Sequence, residues 1–229
     1  MARKGSLGTM TTYGRARENV RRWPVDVAAR QALEAYFDSL PSDAAAERTT
    51  ASLLNGWNLD FTGADLSGLD LLGAELSEAM LNDVPMVASD LYTAWLAETN
   101  LSRADLSRSD LRKVQGRGCT AHEARFREAD LENAEFDGSD FRFADLGGAR
   151  LQRVLFADTD LRGADLRGCT FGTTSLASAR LAGCLAEGAR GTILGPVDVG
   201  DDEPLLLDGP ELQRWFAERG GVHVEVKTA

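Results

Sequence analysis

A large apolar side chain recurs at every fifth residue from Phe61 to Leu181, 25 positions in unbroken register, and only Gly116 and Ala121 among them are not Leu, Phe or Met. Two places before each, from Leu59 to Ala179, stands Ala, Ser, Thr, Cys or Val, with Leu59 and Leu69 as the exceptions. The place between is most often Asp, as at Asp65, Asp70, Asp105, Asp110, Asp130, Asp140, Asp145, Asp160 and Asp165. Neither regular element has this period. In an α-helix each step of five would carry the next large side chain about 140° round the axis, leaving no face for solvent. A strand alternates its faces, so an odd spacing would send Leu66 and Leu71 to opposite sides. A path that turns a corner every five residues, always in one sense, returns each Leu or Phe to one enclosed axis. The chain is therefore expected to be a solenoid.

The units ADLSG, ADLSR, EADLEN, FADLGG and GADLRG resemble the pentapeptide-repeat family, with its consensus A(D/N)LXX, over about residues 58 to 195. The resemblance implies an all-β solenoid: a right-handed quadrilateral β-helix of four pentapeptides per coil, with the central Leu or Phe and the small residue before it pointing inward. The period alone gives the corner; the four sides come from the family. Coils stacked at ~4.8 Å, six or more deep, make a rod of about 30 Å. Each buried large side chain adds about 1.5 to 3 kcal/mol. Cys119, Cys169 and Cys184 all occupy the small inward place and are expected to be inert thiols. Gly116 and Ala121, within RKVQGRGCTAHEA, underfill the interior. Either the coil narrows there or ten residues loop out without disturbing the frame.

A solenoid exposes its end coils, so terminal segments usually cap them. Residues 1–57 are read as a leader and helical cap, 58–195 as the β-helix, and 196–229 as a C-terminal cap or dimerisation element. Met10 opens MTTYGRAREN, so the nine residues before it are either an expression leader or an alternative start. Residues 24 to 40 carry Ala29, Leu33, Tyr36, Phe37 and Leu40 at helical spacing between Pro24 and Pro41, and a second helix is expected over 43 to 54 after Ser42. Arg15, Arg17, Arg21 and Arg22 read as a solvated basic run. In the second coil, outward places hold Met80, Pro85, Val87, Tyr92 and Trp95. Such an apolar cluster is either covered or a binding site, and the N-terminal helices are the expected cover. Near the other end, DGPELQRWFAERGG reads as a short helix, with Pro210 in its first turn, followed by the strand VHVEV. This element resembles the dimerisation module of the gyrase-binding mycobacterial members, which would make Leu212, Trp215 and Phe216 contacts between copies; the alternative is a monomeric cap.

Catalytic chemistry is not expected. His122 and His223 are the only histidines, and neither has a Cys or Ser at a catalytic spacing. No phosphate-binding loop, zinc spacing or HExxH is present, so neither cofactor nor metal is predicted, and one Asp per pentapeptide is the composition of the repeat itself. A net charge of -11 disfavours nucleic acid or an anionic membrane as direct partner and favours a basic protein surface. Three cysteines, an odd number, and the absence of a signal-like or membrane-spanning apolar run point to the cytoplasm.

Sorting outward residues modulo twenty gives three faces near neutrality. The fourth, through Leu76, Leu96, Gly116, Phe136, Phe156 and Leu176, carries Glu75, Glu78, Glu98, Glu135, Asp137 and Asp158 against Arg117 alone, a net -5. The resemblance includes quinolone-resistance proteins that bind DNA gyrase as acidic mimics of duplex DNA, and this face is the candidate for such a role. A rod of ~30 Å matches only about nine base pairs, so mimicry would favour a dimer. A general protein-interaction scaffold is the alternative.

Overall fold

The computed structural model describes residues 12–43, 46 and 48–227. Met10 and the leader question lie outside them. From Asn55 to Leu185 the chain bridges itself in parallel at a spacing of 20 residues, Asn55 to Glu75, Glu75 to Trp95, Asp105 to Arg125, Asp165 to Leu185. Twenty is four pentapeptides, so the coil is four-sided. The ladder continues to Asp198, about seven coils in all, which at ~4.8 Å per coil makes a rod of about 34 Å.

Each corner is a tight turn. The amide of the small residue donates to the carbonyl of the preceding central residue, as in Ala64 N to Phe61 O at 3.0 Å. Every fifth residue from Asn58 to Gly188 is left-handed there, the third position of a type II turn. Glycine fits such a position at no cost, yet Glu, Arg, Thr and Phe143 also take it, because the ladders on both sides hold the backbone in place. The Asp before each central residue acts locally. Asp60, Asp65, Asp105, Asp130 and Asp145 each accept the amide two residues on, an Asx turn that fixes the corner.

All 25 central residues are buried, and so are the small residues before them apart from half-buried Leu59. Where the small residue is polar, it is satisfied. Ser89, Thr99, Ser109, Ser139 and Thr159 donate to the carbonyl of the central residue 23 positions earlier, at 2.6 to 3.1 Å, and the Cys169 thiol does the same to Leu146. These bonds explain why Ser, Thr and Cys substitute for Ala inside an apolar tube: a buried hydroxyl without a partner would be costly.

No loop forms at Gly116. Residues 112–125 keep the turn pattern, and Gly116 and Ala121 bond to the next coil like their neighbours. The missing side chain is supplied from that coil: a Cβ on Gly116 would lie 2.4 Å from Cε1 of Phe136. Phe136 stands within a packed group, its ring 5.1 Å from Phe141 and 5.9 Å from Phe156. One aromatic thus fills two places.

At the N-terminal end, α1 (Val27–Ser39) is capped by Asp26, which accepts the Ala29 amide, and buries Ala29, Leu33, Tyr36 and Phe37. The expected second helix over 43 to 54 is not found. Residues 44, 45 and 47 lie outside the described residues, and the remainder carries only a 3-10 turn at Thr50–Ser52, where the Ser52 hydroxyl takes the Thr49 amide. Leu54 and Gly56 already belong to the first coil, since Gly56 N donates to Glu75 O. An arm formed by residues 12–22 starts the stack: Gly14 bonds to Gly68 and Asp70, and Arg22 O accepts Asp65 N. Asp70 ties arm to cap. Its carboxylate meets Arg48 and Arg15, and the Tyr36 hydroxyl donates to its carbonyl.

Formal strands appear toward the C-terminal coils: β1 (Arg150–Gln152), β2 (Thr170–Gly172), β3 (Thr174–Ser175) and β4 (Arg190–Leu194), all parallel, then the hairpin of β5 (Val197–Asp198) and β6 (Leu206–Leu207). Asp208 caps α2 (Gly209–Glu218), and β7 (His223–Lys227) adds a last parallel rung to β4. Val224 faces inward, while Val222, just before the strand, is 64% exposed.

Candidate interaction surfaces

Among the described residues no group of His, Cys, Asp and Glu is placed to hold a metal ion, and no helix is long and apolar enough to cross a membrane. His122 lies edge-on to Phe143, with Nε2 3.3 Å from Glu123. The three cysteines are free and buried, and burial pushes their thiols up to about 12.

Most acids on the rod are already engaged. Arg112, Arg142, Arg162 and Arg167 each fold back on the Asp two residues before, and Arg103 forks onto Asp83 one coil away. The Arg142 and Arg167 guanidiniums hold Asp140 and Asp165 below the usual carboxylate range.

The fourth face differs. The bridges stack Glu75 on Trp95, Trp95 on Gln115 and Gln115 on Glu135, so the period of 20 brings Glu75, Glu78, Glu98, Glu135, Asp137 and Asp158 to one side of the rod. They do not make an even stripe. Arg117 turns toward the C-terminal end, 2.7 Å from Glu135 and 3.8 Å from Asp137. Asp137 also accepts the Ala157 amide, and Glu75 that of Ser77. Glu78 accepts the indole N–H of Trp57 at 3.3 Å. Among the described residues no cation pairs with Glu75, Glu78, Glu98 or Asp158.

The apolar cluster of the second coil is not covered as expected. Met80 is 46% and Trp95 51% exposed, while Pro85, Val87 and Tyr92 are half-buried. The cap sits over the end of the first coil, and the arm runs along other sides, where Tyr13 lies among Asp90, Asp110 and Arg112. Burial and those acids push the Tyr13 hydroxyl up. Trp57, overlooked in the sequence because the first coil begins earlier than the regular repeat, is 53% exposed on the acidic face.

The residues expected to join two copies are occupied within the chain. Leu212 and Phe216 are fully buried and Trp215 is 8% exposed. Phe216 meets Phe171 of the last full coil, and Arg219 lies over the Trp215 ring at 4.0 Å. The apolar stripe of α2 closes the C-terminal end of the tube, which has the same need of cover as the other end.

A family model described as pentapeptide repeats, in eight copies, matches overlapping segments that together run from residue 58 to 190. Among solved structures, QnrB1, a plasmid-mediated fluoroquinolone resistance protein, is similar with 24% identity and a TM-score of 0.53, covering 73% of this chain and 86% of its own. HetL, a pentapeptide repeat protein involved in heterocyst differentiation regulation in the cyanobacterium Nostoc sp., has 24% identity and a TM-score of 0.46, covering 64% and 80%. No curated protein matches the chain.

Proposed function

The chain belongs to the pentapeptide-repeat family, and we propose that it works by binding rather than catalysis, laying its acidic face against a basic surface of a protein partner. DNA gyrase, or another type II topoisomerase, is the proposed partner, with modulation of the enzyme or protection from its inhibitors as the outcome. QnrB1 is by name a fluoroquinolone resistance protein, which supports testing that partner first. The observation that carries the reading is the alignment of six carboxylates on one side of the rod against Arg117 alone.

The magnitude favours a binder of a basic protein over a full replica of DNA. From Glu75 to Asp158 the face spans about four coils, or ~19 Å, so its net -5 amounts to one charge per ~4 Å. Duplex DNA carries one per ~1.7 Å over both strands. The face therefore matches what one side of a duplex presents, over part of a rod about ten base pairs long. The interaction scaffold remains the second reading, favoured by the cation that Arg117 sets in the middle of the face.

The test is a supercoiling assay with purified gyrase, together with binding measured at several salt concentrations for wild type and for a variant carrying Glu75→Lys, Glu98→Lys, Glu135→Lys and Asp158→Lys. Wild type is expected to bind, with affinity falling as salt rises; the variant is expected to lose both the binding and its salt dependence. A wild type that never binds removes gyrase. A variant that binds equally well, with the same salt slope, removes this face.

A further inference from the structure

The chain has four tryptophans, and the two within the caps are treated alike. Trp23 is half-buried with the Arg30 guanidinium 5.4 Å from its ring, and Trp215 is buried with Arg219 at 4.0 Å. Arg112 and Lys113 approach Tyr92 in the same way, at 5.3 and 5.5 Å. The other two tryptophans, Trp57 and Trp95, are half-exposed on one face of the rod, and among the described residues no cation lies over either ring.

Their setting is specific. Trp95 stacks on Glu75 in the bridge ladder, while Trp57 lies two coils below it, about 10 Å away along the axis. Glu78 holds the Trp57 indole N–H and so fixes that ring. Glu98 stands one coil above Glu78, and Met80, 46% exposed, lies on the adjoining face, in the ladder between Asp60 and Asn100. The nearest cation on this face, Arg117, is spent on Glu135 and Asp137. Two exposed indoles, three carboxylates with no cation among the described residues and a methionine thus share the first three coils.

This combination selects its occupant. Three carboxylates on one patch repel phosphate, which rules against stacking by nucleic-acid bases. They also repel an identical patch, and the chain as a whole carries -11. A neutral glycan would use the rings and gain nothing from the charges. A guanidinium uses both, since it lies flat on an indole and forks onto carboxylates at its edge.

We propose that the patch of Trp57, Trp95 and Met80, rimmed by Glu75, Glu78 and Glu98, docks an arginine-bearing segment of a protein partner. The inference rests on the reading of the chain as an acidic binder of a basic protein surface, and it narrows that surface to the N-terminal three coils. Arginine is preferred to lysine here because an ammonium is a more strongly hydrated point charge without the planar fork.

The experiment uses the full chain labelled at the indole nitrogens, titrated with a purified peptide of alternating Arg and Gly and, separately, with its Lys counterpart. The signals of Trp57 and Trp95 are expected to move while those of Trp23 and Trp215 stay, with the Arg peptide binding several-fold more tightly than the Lys peptide. The double variant Trp57→Ala and Trp95→Ala should bind at least tenfold more weakly while keeping its far-UV spectrum. Should it fold poorly, the triple variant Glu75→Gln, Glu78→Gln and Glu98→Gln keeps the rings and is expected to lose affinity and salt dependence. Peptide that binds with the indole signals unmoved overturns this placement but leaves the acidic-binder reading standing. No binding of either peptide at low salt overturns both. Indole shifts produced by raising the protein concentration alone, or by a neutral oligosaccharide and not the peptide, overturn the arginine assignment.

Discussion

Replacing Gly116 with Ala asks whether the tube is packed as one piece. The backbone at Gly116 is not left-handed, so alanine meets no conformational penalty; its cost is spatial. The added Cβ would lie 2.4 Å from Cε1 and 2.6 Å from Cδ1 of Phe136, and the ring cannot retreat, with Phe141 and Phe156 within 6 Å of it. Overpacking of this kind costs about 1 to 3 kcal/mol. Phe136→Leu alone removes ring atoms that fill the space over Gly116, and the cavity costs about 1 to 2 kcal/mol. Together the two changes restore volume, so the double variant should be more stable than the sum of the single effects allows by at least ~1 kcal/mol. Urea unfolding followed by circular dichroism and by tryptophan fluorescence gives the cycle, provided both probes show one transition. A neutral Gly116→Ala, or effects that add within about 0.5 kcal/mol, would refute the claim that the Phe136 ring occupies the glycine's place.

Three further outcomes follow from the same packing. Cys119, Cys169 and Cys184, buried and with thiols pushed up to about 12, should not react with a thiol-specific disulfide reagent at pH 8, and all three should react in denaturant; a fast native thiol contradicts the inward assignment. Asp140 and Asp165 are held low by Arg142 and Arg167, and Asp83 by Arg103. A carboxyl depressed in the fold stabilises it above its unfolded value, so stability should fall as pH drops below about 4. Asp130, pushed up by burial, acts in the opposite sense, and a midpoint that rises from pH 6 to 3 would mean that the arginine pairs are not formed. Deleting residues 205–229 uncovers Phe171 and Ile193 and removes the β7 rung, so the melting midpoint should drop and the protein should aggregate. A truncated chain of unchanged midpoint and half the particle mass would instead place α2 between copies.

The interior was legible because every coil repeats one geometric demand. A residue at the central place has nowhere to point but the axis, so Leu106 or Leu131 could be assigned inward from its position in the register. The start of the tube was not legible, since the first coil inverts the pattern: Leu54 takes the small place and Gly56 the central one, where a Cβ would lie 2.7 Å from Leu76 and 2.8 Å from Phe61. The stretch 43–54 has the look of a helix, with its Ala residues and Ser42, yet Thr49, Thr50 and Ser52 bond locally and the chain enters the first coil instead. Gly116 was recognised as a hole, but not as one filled by Phe136, because that ring comes from 20 residues away.

Outward residues obey no such demand, and the same letters there carry opposite fates. Trp215, between Arg214 and Glu218, closes the end of the tube beneath Arg219, whereas Trp95, within the apolar run TAWLA, is half-exposed. What separates them is the path of segments outside the repeat. The arm enters at Gly14 and Arg22 and is pinned to Gly68, Asp70 and Asp65 by backbone bonds, which commits it to the end of the first coil and to the sides bearing Asp90 and Asp110. Those bonds carry no side-chain signature, so composition alone allowed the cap to lie over Met80 and Trp95. Once the arm is fixed there, those two residues have no cover within the described chain, and the acids beside them have no cation. The surface that the sequence left open as either cap contact or binding site is therefore available to a partner because the ladder, with first claim on the N-terminal segment, draws that segment elsewhere.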